Sequence, residues 1–179
     1  MLEDYLKELK KEKLSVLDMG TGSGILALAA AISKKVSRVV FADTSISALK
    51  LARQNLDSNQ GLVSAECSFV KTDLFSKIPK GEKFDIIMFN PPYLPQGGEK
   101  ADMKKTWYGG KDGMDATIKF LEHAKNHLNN SGAILLVWSS FANTERLLSY
   151  LSEHKIHIHS EKKIHIFFED IFAGIIKKQ

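Results

Sequence analysis

The stretch Leu14-Ser15-Val16-Leu17-Asp18-Met19-Gly20-Thr21-Gly22-Ser23-Gly24 constrains the fold of this chain more than any other. A short apolar run leads into an acid and then into glycines at alternate positions. Glycine has no Cβ, so such a segment turns sharply and lets its backbone approach a neighbour closely. Behind it, residues 23–34 are rich in Ala and Leu and read as a helix. A buried strand, a tight turn and a helix in that order open an α/β domain.

The alternation continues. Val39-Val40-Phe41-Ala42 is a second buried strand ending at Asp43, and residues 45–57 form a helix with Ser45 as N-cap. Cys67-Ser68-Phe69-Val70 is a third strand ending near Asp73. The run from Phe84 to Phe89 is a fourth, and a Gly, Lys and Pro-rich loop follows from about Leu94 to Gly113. Residues 114–129 return to helical spacing, Ala133 to Trp138 is a fifth strand, and residues 143–154 are helical behind Asn143 as cap. Alternation around Ile156-His157-Ile158 and from Ile171 to Ile176 marks two closing strands. Before the first strand, residues 2–12 pattern as an amphipathic helix with Leu2, Leu6 and Leu9 on one face. Near-continuous apolar strands alternating with helices imply a seven-stranded, mostly parallel sheet with helices on both faces. No repeat, low-complexity segment or linker divides residues 1–179, which read as a single domain.

Composition sets limits on function. The chain is 44% hydrophobic and 26% charged, ordinary for a globular protein, and no apolar run is long enough to span a bilayer. Met1-Leu2-Glu3-Asp4-Tyr5 lacks the basic start and apolar core of a secretory signal. One cysteine, Cys67, leaves no pair for an intrachain disulfide and no Cys-rich zinc site, which fits a reducing, cytoplasmic setting. The net charge of +4 suits an anionic partner, but the lysines are scattered apart from Lys10-Lys11 and Lys177-Lys178 and read as solvated charges.

Ligands of such sheets bind at the carboxyl ends of the strands. Asp18, Asp43, Asp73 and Asn90 all fall at strand C-termini, so four polar residues converge on one edge. The G-x-G-x-G spacing of Gly20, Gly22 and Gly24 differs from the G-x-G-x-x-G of dinucleotide sites, where a helix N-terminus receives a pyrophosphate. Asp18, directly before the glycines, would repel a diphosphate and suit a cation. S-adenosyl-L-methionine carries a sulfonium, an ammonium and no phosphate. Asp43, 25 residues after Asp18, is placed to accept both ribose hydroxyls, with Thr44 beside it. Asp73 and Leu74 are placed for the adenine amine and ring; Asp73 alone also reads as a turn cap. The cofactor-binding set is thus Asp18, Gly20, Thr21, Gly22, Gly24, Asp43, Thr44, Asp73, Leu74 and Asn90.

Asn90-Pro91-Pro92-Tyr93 carries the chemistry. The prolines fix φ and remove N–H donors, so a stiff backbone offers carbonyls beside the cofactor. An amide or aniline-like nitrogen delocalises its lone pair and is a poor nucleophile. It gains from having both N–H groups held by acceptors while the lone pair turns toward a methyl donor. The Asn90 side-chain oxygen and the Pro91 carbonyl are suited to accept them, and both bonds strengthen as nitrogen becomes positive. Tyr93 offers an aromatic face to the planar group.

With these motifs the chain resembles the class I S-adenosylmethionine methyltransferases, whose fold is Rossmann-like. Among them it is similar to the HemK-type glutamine methyltransferases of peptide-chain release factors. Asp18 to Gly24, Asp43, Asp73-Leu74 and Asn90-Pro91-Pro92-Tyr93 match in order and at fitting spacing. The segment from Trp107 to Asp115, with Gly109, Gly110 and Gly113, resembles the glycine loop that follows Asn-Pro-Pro-Tyr in that family, most closely in its short eukaryotic and archaeal branch. The likeness covers about residues 14–178 and weakens before them, where Glu3-Asp4-Tyr5-Leu6 stands for the family's Pro-x-Glu-Asp-Ser segment. The resemblance implies methylation of a glutamine amide in the Gly-Gly-Gln loop of a class I release factor. It also implies a small zinc-binding activator docked at the edge of the third strand, near Leu62-Val63 and Phe69-Val70.

Asn-Pro-Pro-Tyr also occurs in adenine-amine methyltransferases of RNA and DNA, the alternative reading. A nucleic-acid enzyme normally carries a recognition domain and a broad basic face, and this chain shows neither. A non-catalytic scaffold is a third reading, against which the intact motif stands. His154, His157, His159 and His165 crowd the tail without a Cys or carboxylate that would complete a metal site, and none is expected. Trp107 and Tyr108 also read as an aromatic plug, and Lys104, Lys105 and Lys111 as either steering or solubilising charges.

Overall fold

The structure, a computed structural model, describes residues 1–94 and 109–178. The strands are β1 (Leu14–Met19), β2 (Val36–Asp43), β3 (Glu66–Lys71), β4 (Phe84–Phe89), β5 (Leu128–Ser139), β6 (Ile156–Ile166) and β7 (Glu169–Lys178). The helices are α1 (Leu2–Glu8), α2 (Ile25–Ile32), α3 (Ile46–Ser58), α4 (Asp115–Ala124) and α5 (Thr144–Glu153). One sheet holds all seven strands in the order β3-β2-β1-β4-β5-β7-β6. β1 to β5 pair in parallel, and β7 runs antiparallel to both β5 and β6. This is the mostly parallel architecture implied by the strand–helix alternation, and it is the class I methyltransferase fold.

Successive side chains of the buried strands face opposite sides of the sheet, which builds two cores. Leu17, Met19, Ile87 and Phe89 pack with Phe120 and Leu121 of α4 and Leu147 of α5. Val16, Ile86 and Met88 pack on the other face with Tyr5 of α1, Ala27 and Ala30 of α2, and Ala52 and Leu56 of α3. The helix starts follow their caps. Ser45 Oγ accepts from the Ala48 N–H and Asn143 Oδ1 from the Arg146 N–H.

Several boundaries differ from expectation, β2 starting at Val36 and β5 at Leu128 among them. The first helix ends at Glu8 rather than 12, because Lys10 to Lys13 bury no side chain and Lys13 takes φ +59°. The helix expected over 114–129 stops at Ala124. The His127 N–H turns back to the Ala124 carbonyl, and Leu128 already pairs with Phe84 in β5. The closing strands are longer than their apolar alternation. β6 is an edge strand exposed along most of its length, so Ser160-Glu161-Lys162-Lys163 belongs to the ladder without an apolar signature.

The topology fixes where a ligand can sit. Phe89 of β4 pairs with Leu136 of β5, and Ser139 of β5 pairs with Ile171 of β7. The ends of β4 and β5 and the start of β7 therefore share one rim with the ends of β1 and β2.

Candidate active site

A cleft of about 980 Å³ opens on that rim, as ligand sites in open α/β sheets do. Its wall includes Gly20, Gly22, Asp43, Thr44, Asp73, Leu74, Asn90, Pro91, Pro92 and Tyr93. A smaller hollow of about 380 Å³ lies by Lys11, Asp85 and Asn129 at the opposite strand ends, away from every motif residue.

Asp18, Thr21 and Gly24 are not on the cleft wall. Asp18 is 2% exposed, and its Oδ2 accepts the Thr21 hydroxyl (2.6 Å) and the Ala27 N–H (3.2 Å). It thus satisfies a free first-turn donor of α2 and braces the glycine turn from behind. Burial pushes the Asp18 carboxyl up to about 7 despite those two bonds, and the charge of Asp43 adds to the rise. Gly24 has φ +82°, and a Cβ there would lie 2.9 Å from the Ala52 Cβ, so this glycine seats α2 against α3.

Asp43 stands at the mouth of the turn. Its Oδ2 accepts the Gly22 N–H at 2.9 Å and its Oδ1 the Ser45 N–H at 2.8 Å. Each oxygen keeps a further acceptor site. The Thr72 N–H reaches the Asp43 carbonyl, and the buried Thr72 hydroxyl donates to the Leu74 carbonyl at 2.8 Å. That clasp holds Leu74 at φ +45°, a costly conformation for a branched residue, with its side chain on the cleft wall. Asp73 is exposed on the same wall.

Phe89 fixes the exit of β4 by packing on Phe120 with ring centroids 4.3 Å apart. Asn90 then emerges exposed into the cleft, followed by buried Pro91 and half-buried Tyr93. Burial raises the Tyr93 phenol above its ordinary range, with a contribution from the charge of Glu169. The second glycine motif packs directly onto this backbone. A Cβ on Gly109 would come 2.3 Å from the Pro92 carbonyl oxygen, and one on Gly113 (φ +80°) 2.3 Å from that of Tyr93. The Gly109 N–H also donates to the Leu94 carbonyl at 3.0 Å. Trp107, Tyr108, Lys104 and Lys105 lie outside the described residues.

Sequence reasoning missed Arg146. From α5 it donates to Asp112 at 2.8 Å and to Asp115 at 2.7 Å, clamping the C-terminal side of the glycine loop. The Arg146 guanidinium holds the Asp115 carboxyl below the usual carboxylate range. It also missed Thr72, Lys119 and Glu169 on the wall. No motif marks these, because they come from separate elements joined only by folding. The acids of α1 do not reach the cleft; Asp4 pairs with Lys162. At the other edge, β3 is the last strand of the sheet among the described residues. Leu62 before it is 62% exposed, and Val63, Phe69 and Val70 are half-buried. Among the described residues no group of three metal-ligating side chains occurs, and no helix is long and apolar enough to cross a membrane.

Comparison with known proteins gives the family. The profile of the methyltransferase small domain family matches residues 3–167. A Methanocaldococcus jannaschii protein, whose name assigns it protein N5-glutamine methylation, is 31% identical over 161 residues, 88% of this chain and 78% of its own. A Streptococcus pneumoniae release factor glutamine methyltransferase is 37% identical over 144 residues, which is 76% of this chain and 50% of that protein. The chain thus spans about half the length of the bacterial relatives it matches. In fold it resembles the E. cuniculi Mtq2-Trm112 complex, described as methylating the eRF1 termination factor. The TM-score is 0.69 at 24% identity, covering 99% of this chain and 93% of that one. The chain belongs to the methyltransferase small domain family.

Proposed function

We propose that this protein methylates the side-chain amide nitrogen of a glutamine in a class I peptide-chain release factor, in its Gly-Gly-Gln loop, using S-adenosyl-L-methionine. The observation that carries the reading is the seating of Gly109 and Gly113 on the carbonyl backbone of Pro92 and Tyr93, beside an exposed Asn90 at the rim of one cleft. When bound, S-adenosylmethionine supplies a methyl group on a sulfonium.

The wall fits that cofactor. It carries the carboxylates of Asp43, Asp73, Asp115 and Glu169 against the single amine of Lys119 among its described residues, a balance that favours a cation over a phosphate. Asp43 would hold the ribose, Leu74 and Asp73 the adenine, and the Gly20–Gly22 backbone the amino-acid end, with Thr44 beside the ribose. Asp18, Thr21 and Gly24 keep that turn in shape from outside the wall.

On the acceptor side, Asn90 Oδ1 and the Pro91 carbonyl accept the two amide N–H groups. Both bonds strengthen as charge develops on nitrogen, which lowers the barrier selectively. Tyr93 and the stiff Pro91-Pro92 backbone hold the amide plane in line for transfer. The proton leaves to water afterwards. A neutral amide needs no strong base, and the reading assigns none.

The same reading places a small zinc-binding activator along the β3 edge, supported by exposed Leu62 and the unpaired side of that strand. It takes residues 1–179 as one catalytic domain, supported by the joining of all described strands in one sheet, and it sets the action in the cytoplasm, where release factors work. The alternative acceptor is an adenine amine of RNA or DNA, which shares the Asn90 to Tyr93 chemistry. The test is transfer of label from S-adenosylmethionine to purified release factor or to RNA, with and without the activator. Label in the release factor, lost when its loop glutamine is replaced, is expected; label in RNA alone overturns the reading.

A further inference from the structure

The turn between β6 and β7 breaks the ordinary rules of a hairpin. Ile166 pairs with Glu169, so only Phe167 and Phe168 make the turn. Two-residue turns of this kind favour glycine, asparagine or aspartate, because a central residue takes positive φ. Here Phe167 has φ +53°, and the two rings are 88% and 92% exposed. Ile164 and Ile166, on the strand leading to the turn, are 63% and 47% exposed. The fold gains no packing from these side chains and bears backbone strain at one of them. Local rules are broken without internal compensation chiefly where function requires it.

The position of the tip says what it meets. β7 begins on the rim where β4 ends, so the turn projects on the acceptor side of the cleft, and Glu169, the next residue, is on the cleft wall. The turn is anchored there: the Ser140 N–H donates to the Asp170 carbonyl at 2.8 Å and the Asp170 N–H to Ser140 Oγ at 3.0 Å. The free β3 edge lies at the far end of the sheet, so a partner there leaves the tip open. Among the described residues, the basic side chains beside the turn are engaged: Lys163 and His165 meet Asp170, and Lys162 meets Asp4. Among the described residues the tip therefore presents apolar surface with its basic neighbours paired, which suits a polypeptide better than a phosphate backbone.

We infer that Phe167 and Phe168 form a docking wedge for the folded polypeptide acceptor, seating in an apolar recess of that protein while its methylated loop enters the cleft. The inference rests on the proposed release factor substrate. Its test uses the full chain carrying Phe167→Gly and Phe168→Ser together. Glycine relieves the positive φ, so the unfolding temperature should not fall. With wild type and variant, methylation is measured on the intact release factor and on a short peptide containing its Gly-Gly-Gln loop, alongside S-adenosylmethionine binding. Loss of two central aromatic anchors is expected to raise KM for the intact factor by roughly tenfold or more. Peptide methylation and cofactor affinity should stay within about twofold, inside ordinary surface-substitution effects. An unchanged KM for the intact factor overturns the wedge and leaves the substrate reading standing. So does an equal loss on the peptide, or a wild-type dimer in sedimentation that the substitutions dissociate. Wild type that labels RNA and neither protein nor peptide overturns both.

Discussion

Gly113 lies against Tyr93 so closely that a single methyl group at its Cα would sit 2.3 Å from the Tyr93 carbonyl oxygen. No hydrogen bond is needed for this contact; it is a contact of shape. The glycine loop and the Asn90–Tyr93 segment are one unit, and the absence of a side chain at Gly113 sets the position of the backbone next to the acceptor.

Gly113→Ala should therefore displace Tyr93 and lower turnover by roughly a hundredfold, the scale of small misplacements near a reacting centre. Binding of S-adenosylmethionine, measured by calorimetry, should change by no more than a few fold. Gly81→Ala is the control: it has φ +92° but open space around it, so it bears the strain without the collision. Equal losses in the two variants would assign the effect to stability alone.

Asn90 and Asp43 should separate transfer from binding. Asn90→Ala removes an acceptor that strengthens only as charge develops, and is expected to lower kcat by about a hundredfold or more with cofactor affinity nearly unchanged. Asp43→Ala should weaken cofactor binding by roughly ten- to a hundredfold, the value of lost charge-assisted hydrogen bonds. A variant of Asn90 that loses cofactor affinity instead would remove it from the acceptor side.

Asp18 predicts a pH dependence of stability. Its carboxyl is raised to about 7 in the folded chain, above the ordinary 3.8. Between those values the native state binds the proton more tightly than the unfolded state. Stability from this group is full below about pH 4, falls as pH rises to about 7 and is flat above, a loss of up to about 4 kcal/mol. Asp18→Asn keeps an oxygen for the Thr21 hydroxyl and the Ala27 N–H but has nothing to ionise. Its urea midpoint should exceed that of the wild type at pH 8 and converge with it near pH 4. A wild-type curve that rises through this interval would show that Asp18 is ionised in the fold.

Arg146 is 40% exposed, and its partners Asp112 and Asp115 are also partly solvated, so its ion pairs add little to global stability. Arg146→Ala should shift the unfolding temperature by only a few degrees while lowering turnover several fold, since the loop that seats Tyr93 loses its clamp. High salt should move the wild type in the same direction. A large thermal loss with normal turnover would show that the clamp is structural.

Much of this architecture could be read in advance, for identifiable reasons. Val39 to Ala42 and Ile86 to Phe89 are buried on both faces, so their composition announces them as central parallel strands. Ser45 and Asn143 signal helix starts because a cap is a local interaction. What escaped notice depends on distant partners. Leu128 leaves the helical pattern because Phe84 pairs with it, and Ser160 to Lys163 join a ladder with β7. In the site, the cleft-wall positions of Asp43, Asp73-Leu74 and Asn90–Tyr93 follow from their strand ends. Asp18 is buried with its carboxylate on an N–H of α2, and nothing in a strand-end acid reveals which way it turns. Arg146, Thr72 and Glu169 carry no motif at all.

The strand order has an evolutionary consequence. β4 stands in the middle, with β1, β2 and β3 on one side and β5, β7 and β6 on the other. The residues assigned to the donor hang from one flank, and the hairpin assigned to the acceptor from the other. The two flanks meet along a single central strand. Selection can then remodel one flank, by lengthening a hairpin or recasting its tip, while the other is inherited intact. A lineage built on this plan can change its target without having to reinvent its methyl donor.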